Sequence, residues 1–191
     1  MVSKVALACA CGAVKGELDV VAGDYFHVHC LCCDCQRYAR HLGNEAAMLD
    51  EYGATELFQT YPAYMKITQG HEYIQAVQLT PKGIYRWHTR CCQMPVANTV
   101  KSAGVPFVGV SVTFMQFANE QETLTALGPV TLKAFGKYAK GNIPEDAHPR
   151  FPVSFMPKIL GFMIKGRLTG KHKPSPFFNA TNPVAPVRTL Y

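Results

Sequence analysis

The segment HCLCCDCQRYARHLG, residues 29–43, contains four of the eight cysteines in the chain, all within six positions. The other four form two shorter groups, Cys9-x-Cys11 and Cys91-Cys92. Unrelated core cysteines would not cluster in this way, and partners one residue apart seldom reach the geometry of a disulfide. Closely spaced thiolates on one backbone turn are typical ligands of zinc. The pattern therefore predicts that cysteines of all three groups bind metal.

The spacing indicates two zinc sites of different kinds. Cys30, Cys32 and Cys35 form a compact Cys-x-Cys-x-x-Cys set that can share one ion. A zinc ion with three protein ligands keeps a fourth position for water or substrate, which is typical of catalytic sites. We therefore expect two zinc ions per chain. The second, structural site would join distant segments of the chain and consist of Cys9, Cys11, Cys91 and Cys92.

Length and composition indicate a single globular domain. The chain has 191 residues, of which 48% are apolar and 17% charged, and its net charge is +6. No apolar run reaches the length of a membrane span, and the N-terminal apolar stretch is too short for a signal peptide. We therefore expect a cytoplasmic protein without a membrane partner, in which thiols stay reduced. The basic segment 165–174 leaves nucleic acid as a less favoured partner.

The elements that position the cysteines are predicted to be mainly strands. β-Formers alternate or cluster over 13–20 and 25–30, and residues 63–92 indicate three strands separated by turns. Residues 37–53 are compatible with one or two helical turns, whereas 106–117 fits either a strand or a buried helix. The first hundred residues therefore favour a β-rich core.

The pattern changes in the last third of the chain. Helical spacing appears over 123–141 and 151–170, and the second stretch places Phe155, Ile159, Phe162 and Met163 on one side as core residues. The proline-rich remainder lacks periodicity, so we expect it to run over the surface in extended form. We divide the single domain into a zinc-binding core, 1–118, and a helical and proline-rich C-terminal extension, 119–191.

Four segments, in order, resemble the glutathione-dependent formaldehyde-activating enzymes, a family that includes centromere protein V. CACGAVKGEL and HCLCCDCQRYA are similar to its Cys-x-Cys-Gly-Ala-Val and Cys-His-Cys-Ser-Asp-Cys-Arg-Arg passages. YPAYMKITQGHEYIQAVQL and RWHTRCCQMP resemble its strand-Gly-strand and Cys-x-x-Cys-Gly-Thr-Pro passages. The resemblance covers residues 5–100. It implies a β-tent fold of antiparallel sheets pinned by a structural zinc, a second zinc on three cysteines, and carbon–sulfur chemistry on glutathione adducts.

The fourth segment departs from the family pattern. When Pro95 is set on the family's proline, Thr89 stands where the first cysteine of the pair belongs. Cys91 is the expected substitute ligand, and His88 is the alternative. Cys33 stands where the family commonly has serine, so we expect it to lie off the metal.

Polar residues beside the cysteines are candidates for supporting roles. Arg37 and Arg40 lie one helical turn apart and could offset the charge of three thiolates and bind a substrate carboxylate. A solvated helix face is the alternative for both. His29 could orient a ligand by a hydrogen bond or be an exposed strand residue. Asp34 is expected to accept backbone N–H groups in the turn.

These observations predict a mainly β zinc enzyme of the carbon–sulfur lyase type. Its substrate would be glutathione or another small-molecule thiol adduct, with formaldehyde as the carbonyl that the resemblance implies. Cys30, Cys32 and Cys35 would be catalytic, because zinc lowers the pKa of a bound thiol and makes its sulfur nucleophilic near neutral pH. The alternative is a non-enzymatic zinc-binding module whose basic tail contacts nucleic acid or a protein partner.

Overall fold

A computed structural model describes residues 2–191, and this part of the chain is mainly β, as predicted. Its strands are β1 (Val2–Ala8), β2 (Lys15–Val21), β3 (Phe26–Cys30), β4 (Thr55–Thr60), β5 (Met65–Gln69), β6 (Ile74–Gln78), β7 (Tyr85–Thr89), β8 (Pro95–Thr99), β9 (Val108–Ser111), β10 (Leu132–Ala134), β11 (Phe178–Asn179), β12 (Asn182–Pro183) and β13 (Val187–Thr189). Its α-helices are α1 (Cys33–Leu42), α2 (Glu45–Met48), α3 (Glu120–Leu127) and α4 (Met156–Leu168).

The strands form one large sheet, one small sheet and a short hairpin. The large sheet has eight strands in the order β10-β3-β4-β9-β8-β7-β6-β13, and the small sheet has the order β1-β2-β5. Pairing is antiparallel except at the two edges of the large sheet, where β10 and β13 run parallel to their neighbours. Strands β11 and β12 form the hairpin.

Both sheets contribute to one hydrophobic core. Leu7 and Leu18 of the small sheet pack in the same cluster as Trp87 and Val96 of the large sheet. Trp87 is fully buried, and Phe177 of the extended tail stacks on it with ring centroids 4.9 Å apart. This packing fixes the end of β1 relative to the β7–β8 connection, and both places carry cysteines.

The last third of the chain is only partly helical. Helix α3 ends at Leu127, and the expected helix is wrong for Leu132–Ala134, which form β10 beside β3. Near the C-terminus, β13 pairs with β6. Segments of the predicted extension therefore supply both edge strands of the large sheet. Within residues 2–191, every helix falls short of the length and apolarity of a membrane span.

Helix α4 packs along the apolar stripe that the sequence predicts. Phe155 and Phe162 are buried, and Ile159 packs beside Phe155. The ring of Tyr61 stacks on Phe162 with centroids 4.1 Å apart, and its hydroxyl donates to the Phe162 carbonyl. A β-carbon at Gly166 would lie 2.4 Å from the Tyr61 ring, so glycine permits this close approach.

Candidate metal centre

The first cysteine group brings together two distant segments. The sulfur atoms of Cys9, Cys11, Cys91 and Cys92 all lie within 4.8 Å of one another. The Sγ of Cys9 is 3.5 Å from that of Cys11 and 3.8 Å from that of Cys91. Disulfide sulfurs lie about 2.05 Å apart, so these atoms are arranged as separate thiols. The group can hold one metal ion through four sulfur ligands.

The first half of this group lies in the turn that follows β1. The Gly12 N–H donates to the Cys9 carbonyl at 2.9 Å, and Gly12 adopts a left-handed φ of 73° that favours glycine. The Val14 N–H donates to the Cys9 sulfur at 3.2 Å. A backbone N–H directed at a cysteine sulfur orients the ligand atom and is a common supporting contact of metal-binding cysteines.

The second half lies in the turn between β7 and β8, so the chain bends where two adjacent cysteines must share an ion. Gln93 has a left-handed φ of 54° in this turn. The Met94 N–H donates to the Thr89 hydroxyl oxygen, which leaves the Thr89 proton free for Cys92, 3.4 Å away. Burial raises the pKa of Cys92, but hydrogen bonds from Thr89 and Cys11 outweigh it and lower the pKa to about 6. Cys92 is therefore prepared as a thiolate.

The second cysteine group is formed where β3 meets α1. Cys30 ends β3, Cys32 is the N-cap of α1, and Cys35 lies in its first turn. Their sulfurs lie within 4.8 Å of one another, with 3.7 Å between Cys30 and Cys35. The Cys32 sulfur accepts the Cys35 N–H at 3.4 Å. The positive end of a helix dipole favours thiolates at this position, so this group too can hold a metal ion.

A buried arginine faces the three-cysteine group. Arg86 of β7 is only 4% exposed, and its Nη1 lies 3.7 Å from the Cys35 sulfur. The guanidinium also lies over the Tyr38 ring, 5.2 Å from the centroid. Hydrogen bonds from Cys30 and Cys32, together with Arg86, hold the pKa of Cys35 well below its usual value. One thiolate is therefore stabilised, and three would need a cation as well.

A cavity of about 330 Å³ opens beside this group. Its wall combines the three sulfurs with cationic, amide and aromatic side chains. Cys32 is partly exposed, whereas Cys30 and Cys35 are 9% and 5% exposed, so a small molecule would reach Cys32 most readily. The residues that share this cavity with the cysteines include Gln59, Lys82, Arg86, Asn98, Phe107 and Phe135.

Comparison with known proteins places the chain in a family. Residues 1–188 match a family of unknown function, DUF6151. The chain belongs to this family. It is also similar to the crystal structure of a Rhodobacter sphaeroides protein, a structural genomics target, at 19% sequence identity and a TM-score of 0.45. That likeness covers 67% of this chain and 97% of the other. No curated protein matches the sequence.

In the structure of this DUF6151 member, the seven cysteines predicted as ligands form the two groups described above. Cys91, and not the alternative His88, lies in the four-cysteine group. His88 is buried in β7, and its ring lies near that of Tyr38 in α1. The Cys33 sulfur lies 3.9 Å from an Asp34 carboxylate oxygen and outside the three-cysteine group.

The two arginines predicted to bind substrate lie elsewhere. Arg37 and Arg40 line a separate cavity together with His41 and Tyr191, and they do not line the cavity beside the three cysteines. Arg37 lies 3.8 Å from Asp34. His29 neighbours Cys30 on a strand, so its side chain points to the opposite face, where it lies 3.8 Å from Asp50.

Several cavity residues were not found by sequence reasoning, and three of them show why. Arg86 lies in the strand YRWHT, and its charge in an otherwise uncharged strand was the available signal. Lys82 lies in the turn TPKG, where a lysine is unremarkable. Phe135 has a left-handed φ of 66° beside the cavity, a conformation that is uncommon for a bulky residue. Local sequence contains no sign of it.

Proposed function

We propose that the protein is a zinc-dependent carbon–sulfur lyase that acts on adducts of glutathione or a related thiol with formaldehyde. The observation that carries this proposal is the three-cysteine group beside a cavity whose lining includes two cationic residues, Lys82 and Arg86, and one carboxylate, Asp34. Four-cysteine zinc sites are usually structural, whereas sites with three protein ligands serve catalysis. Residues 2–191 contain one group of each kind. The resemblance to the formaldehyde-activating family over residues 5–100 supplies the reaction class, and the β-tent fold belongs to the same proposal.

The chemistry of both groups fits zinc. A tetrahedral zinc site with Zn–S bonds of about 2.3 Å separates its sulfurs by about 3.8 Å. The sulfur pairs Cys9–Cys91, Cys91–Cys92 and Cys30–Cys35 are separated by 3.8, 3.8 and 3.7 Å. Clusters made of sulfur alone favour zinc over magnesium or calcium, which take oxygen ligands. Cys9, Cys11, Cys91 and Cys92 would hold one ion, and Cys30, Cys32 and Cys35 the other.

The protein's own side chains have separate tasks in this proposal. A zinc ion held by Cys30, Cys32 and Cys35 would lower the pKa of a substrate thiol. Arg86 balances the charge of the thiolates from a buried position, which a guanidinium does without losing its proton. Lys82 is exposed at the cavity and can pair with a carboxylate of the thiol substrate. Phe107 and Phe135 supply apolar wall to the cavity in which the sulfur would react.

The reaction itself is a simple addition and its reverse. The thiol sulfur forms a bond to the carbonyl carbon, and the carbonyl oxygen takes up the proton that the thiol has lost. The amide side chains of Gln59 and Asn98 line the cavity and can donate hydrogen bonds to that oxygen. No redox partner is required.

The test compares two neighbouring cysteines. Exchange between free glutathione and its formaldehyde adduct is measured by NMR, with and without protein, and glutathione binding is measured by titration calorimetry. We expect the native protein to accelerate exchange and bind the thiol, and Cys32→Ser to abolish both. Cys33→Ser is the matched control, because Cys33 lies one residue away and outside the group. It should retain both properties.

Two results would overturn the proposal. If Cys32→Ser exchanged and bound the thiol as the native protein does, the three-cysteine group would not be the active site. A native protein that ignores thiols but binds nucleic acid with a steep salt dependence would be the non-enzymatic module predicted as the alternative.

A further inference from the structure

Helix α4 exposes a second apolar stripe in addition to the one it buries. Met156, Leu160, Ile164 and Leu168 follow one another at intervals of four residues, so they lie along one face of the helix. They are 50%, 61%, 51% and 82% exposed. Val153, just before the helix, is 82% exposed. Single exposed apolar residues are ordinary, but a continuous row of them usually marks an interaction site.

This stripe is not the product of a loosely attached helix. The opposite face is held by Phe155, Phe162 and Gly166, which pack closely against the body of the protein. Lys165 of α4 also forms an ion pair with Asp24, a buried residue whose other oxygen accepts the Tyr64 hydroxyl at 2.6 Å. The helix is therefore fixed in one orientation and presents the apolar row outwards.

The apolar surface continues onto a neighbouring loop. Val105 and Pro106 line a shallow groove of about 450 Å³ together with Met163, Ile164 and Leu168. The surface thus extends sideways from the helix.

The sequence around the stripe is basic. From residue 147 to residue 191 the sequence contains no aspartate or glutamate. Lys158 and Lys165 project near the border between the exposed and buried faces of α4, as the 3.6-residue period requires, and Arg167 lies close to Leu168. The basic residues of this segment are Arg150, Lys158, Lys165, Arg167, Lys171, Lys173 and Arg188.

We propose that α4 docks the protein onto an anionic lipid bilayer surface. A helix with large aliphatic residues on one face and basic residues around them binds in the plane of a membrane, with its apolar row among the acyl chains. Its 13 residues span about 20 Å, which suits a helix that lies on the bilayer and is too short to cross it. The absence of a spanning segment, which led us to expect no membrane partner, does not bear on this mode of binding. This inference is independent of the proposed enzyme activity.

Other occupants fit the same surface less well. Single-stranded nucleic acids stack their bases on aromatic side chains, and duplexes are bound by basic and polar side chains, whereas the row on α4 is aliphatic. In a symmetric dimer the same patch would face itself. Basic residues such as Lys158 and Arg167 of one copy would then meet those of the other, and the segment 147–191 contributes no carboxylate to balance them. Anionic lipid headgroups match both the charge and the apolar row.

The experiment measures co-sedimentation with vesicles. Native protein is mixed with vesicles of phosphatidylcholine alone or with one quarter phosphatidylglycerol. We expect binding to the anionic vesicles that weakens with added salt, and little binding to the neutral ones. The variant Leu160→Glu/Ile164→Glu should reduce binding roughly tenfold or more, because it replaces two inserted side chains with charges. Light scattering coupled to size-exclusion chromatography reports the oligomeric state of each protein.

Leu124→Glu is the matched control. Leu124 is 50% exposed on α3, so the substitution has the same chemistry at a comparable exposure, and it should leave vesicle binding unchanged. Thermal unfolding checks that each variant is folded. Failure of the native protein to bind anionic vesicles, or equal loss of binding in the control, would overturn the proposal. So would a native dimer that the α4 variant dissociates, since the row would then be a contact between copies.

Discussion

At the scale of single residues, the four-cysteine group depends on two adjacent ligands. Neighbouring side chains on a regular strand point to opposite faces, so Cys91 and Cys92 can share an ion only in a turn. Two features provide that turn. Gln93 has a left-handed φ, and the Met94 carbonyl accepts the Thr89 N–H at 2.9 Å, which brings the chain back beside β7. The two sulfurs consequently lie 3.8 Å apart.

This geometry predicts an all-sulfur ligand shell. In Cys32→Ser, which should retain one zinc, X-ray absorption should show four sulfur atoms at about 2.3 Å. His88 lies outside the group, because it is buried in β7 with its ring beside that of Tyr38. A nitrogen atom at about 2.0–2.1 Å would contradict the assignment and restore His88 as the ligand.

The sequence predicted ligands more successfully than their surroundings. Cysteine is a rare residue, so its clustering is visible without a structure. Arginine is common, and whether one faces a metal site depends on strand register. Arg86 reaches Cys35 because β7 lies beneath α1, 51 residues away along the chain. Arg37 is only two residues from Cys35. The rotation of successive residues around helix α1 nevertheless places it at a separate cavity.

At the scale of elements, local pattern predicted five strands, β2, β3, β5, β6 and β7, but not the long-range pairings. The three strands expected within 63–92 are confirmed as β5, β6 and β7, yet β5 pairs with β2 in the small sheet. Helix α1 begins inside the cysteine cluster, earlier than expected, since the Cys32 sulfur caps it. Leu132–Ala134 is too short for its alternation to be distinguished from helical spacing, and only its parallel pairing with β3 makes it a strand.

The docking of α4 can be tested with two glycines of that helix. A β-carbon at Gly166 would meet the Tyr61 ring at 2.4 Å, whereas one at Gly161 would meet nothing within 4 Å. We expect Gly166→Ala to destabilise the protein by about 1–3 kcal/mol through overpacking. Gly161→Ala should instead stabilise it by about 0.5–1 kcal/mol, because alanine favours the helix.

Chemical denaturation followed by circular dichroism measures both variants. Equal effects would mean that α4 does not pack against Tyr61 as described. The comparison also bears on the membrane surface, since the orientation of the exposed row depends on the packing of Gly166.

At the scale of the whole molecule, the two cysteine groups occupy different positions in the architecture. Cys9 and Cys11 follow a strand of the small sheet, and Cys91 and Cys92 connect two strands of the large one. An ion held there would link the two sheets through cysteines that lie 82 residues apart in the sequence, Cys9 and Cys91. Cys30, Cys32 and Cys35 instead lie within six consecutive positions, so an ion there would constrain little beyond the start of α1.

This difference predicts unequal consequences for stability. In a site between distant segments, the free energy of metal binding becomes free energy of folding. Cys9→Ser should therefore lower the Tm by roughly 10 °C or more, which corresponds to a loss of several kcal/mol for a chain of this size. Cys32→Ser should change the Tm far less, because serine is itself a favourable N-cap and preserves the start of α1. Thermal unfolding with metal analysis of each purified variant tests this, and each should retain about one zinc where we expect two in the native protein. If both variants lost the same stability, both groups would have a structural role. The proposal that the three-cysteine group is the reactive site would then be contradicted.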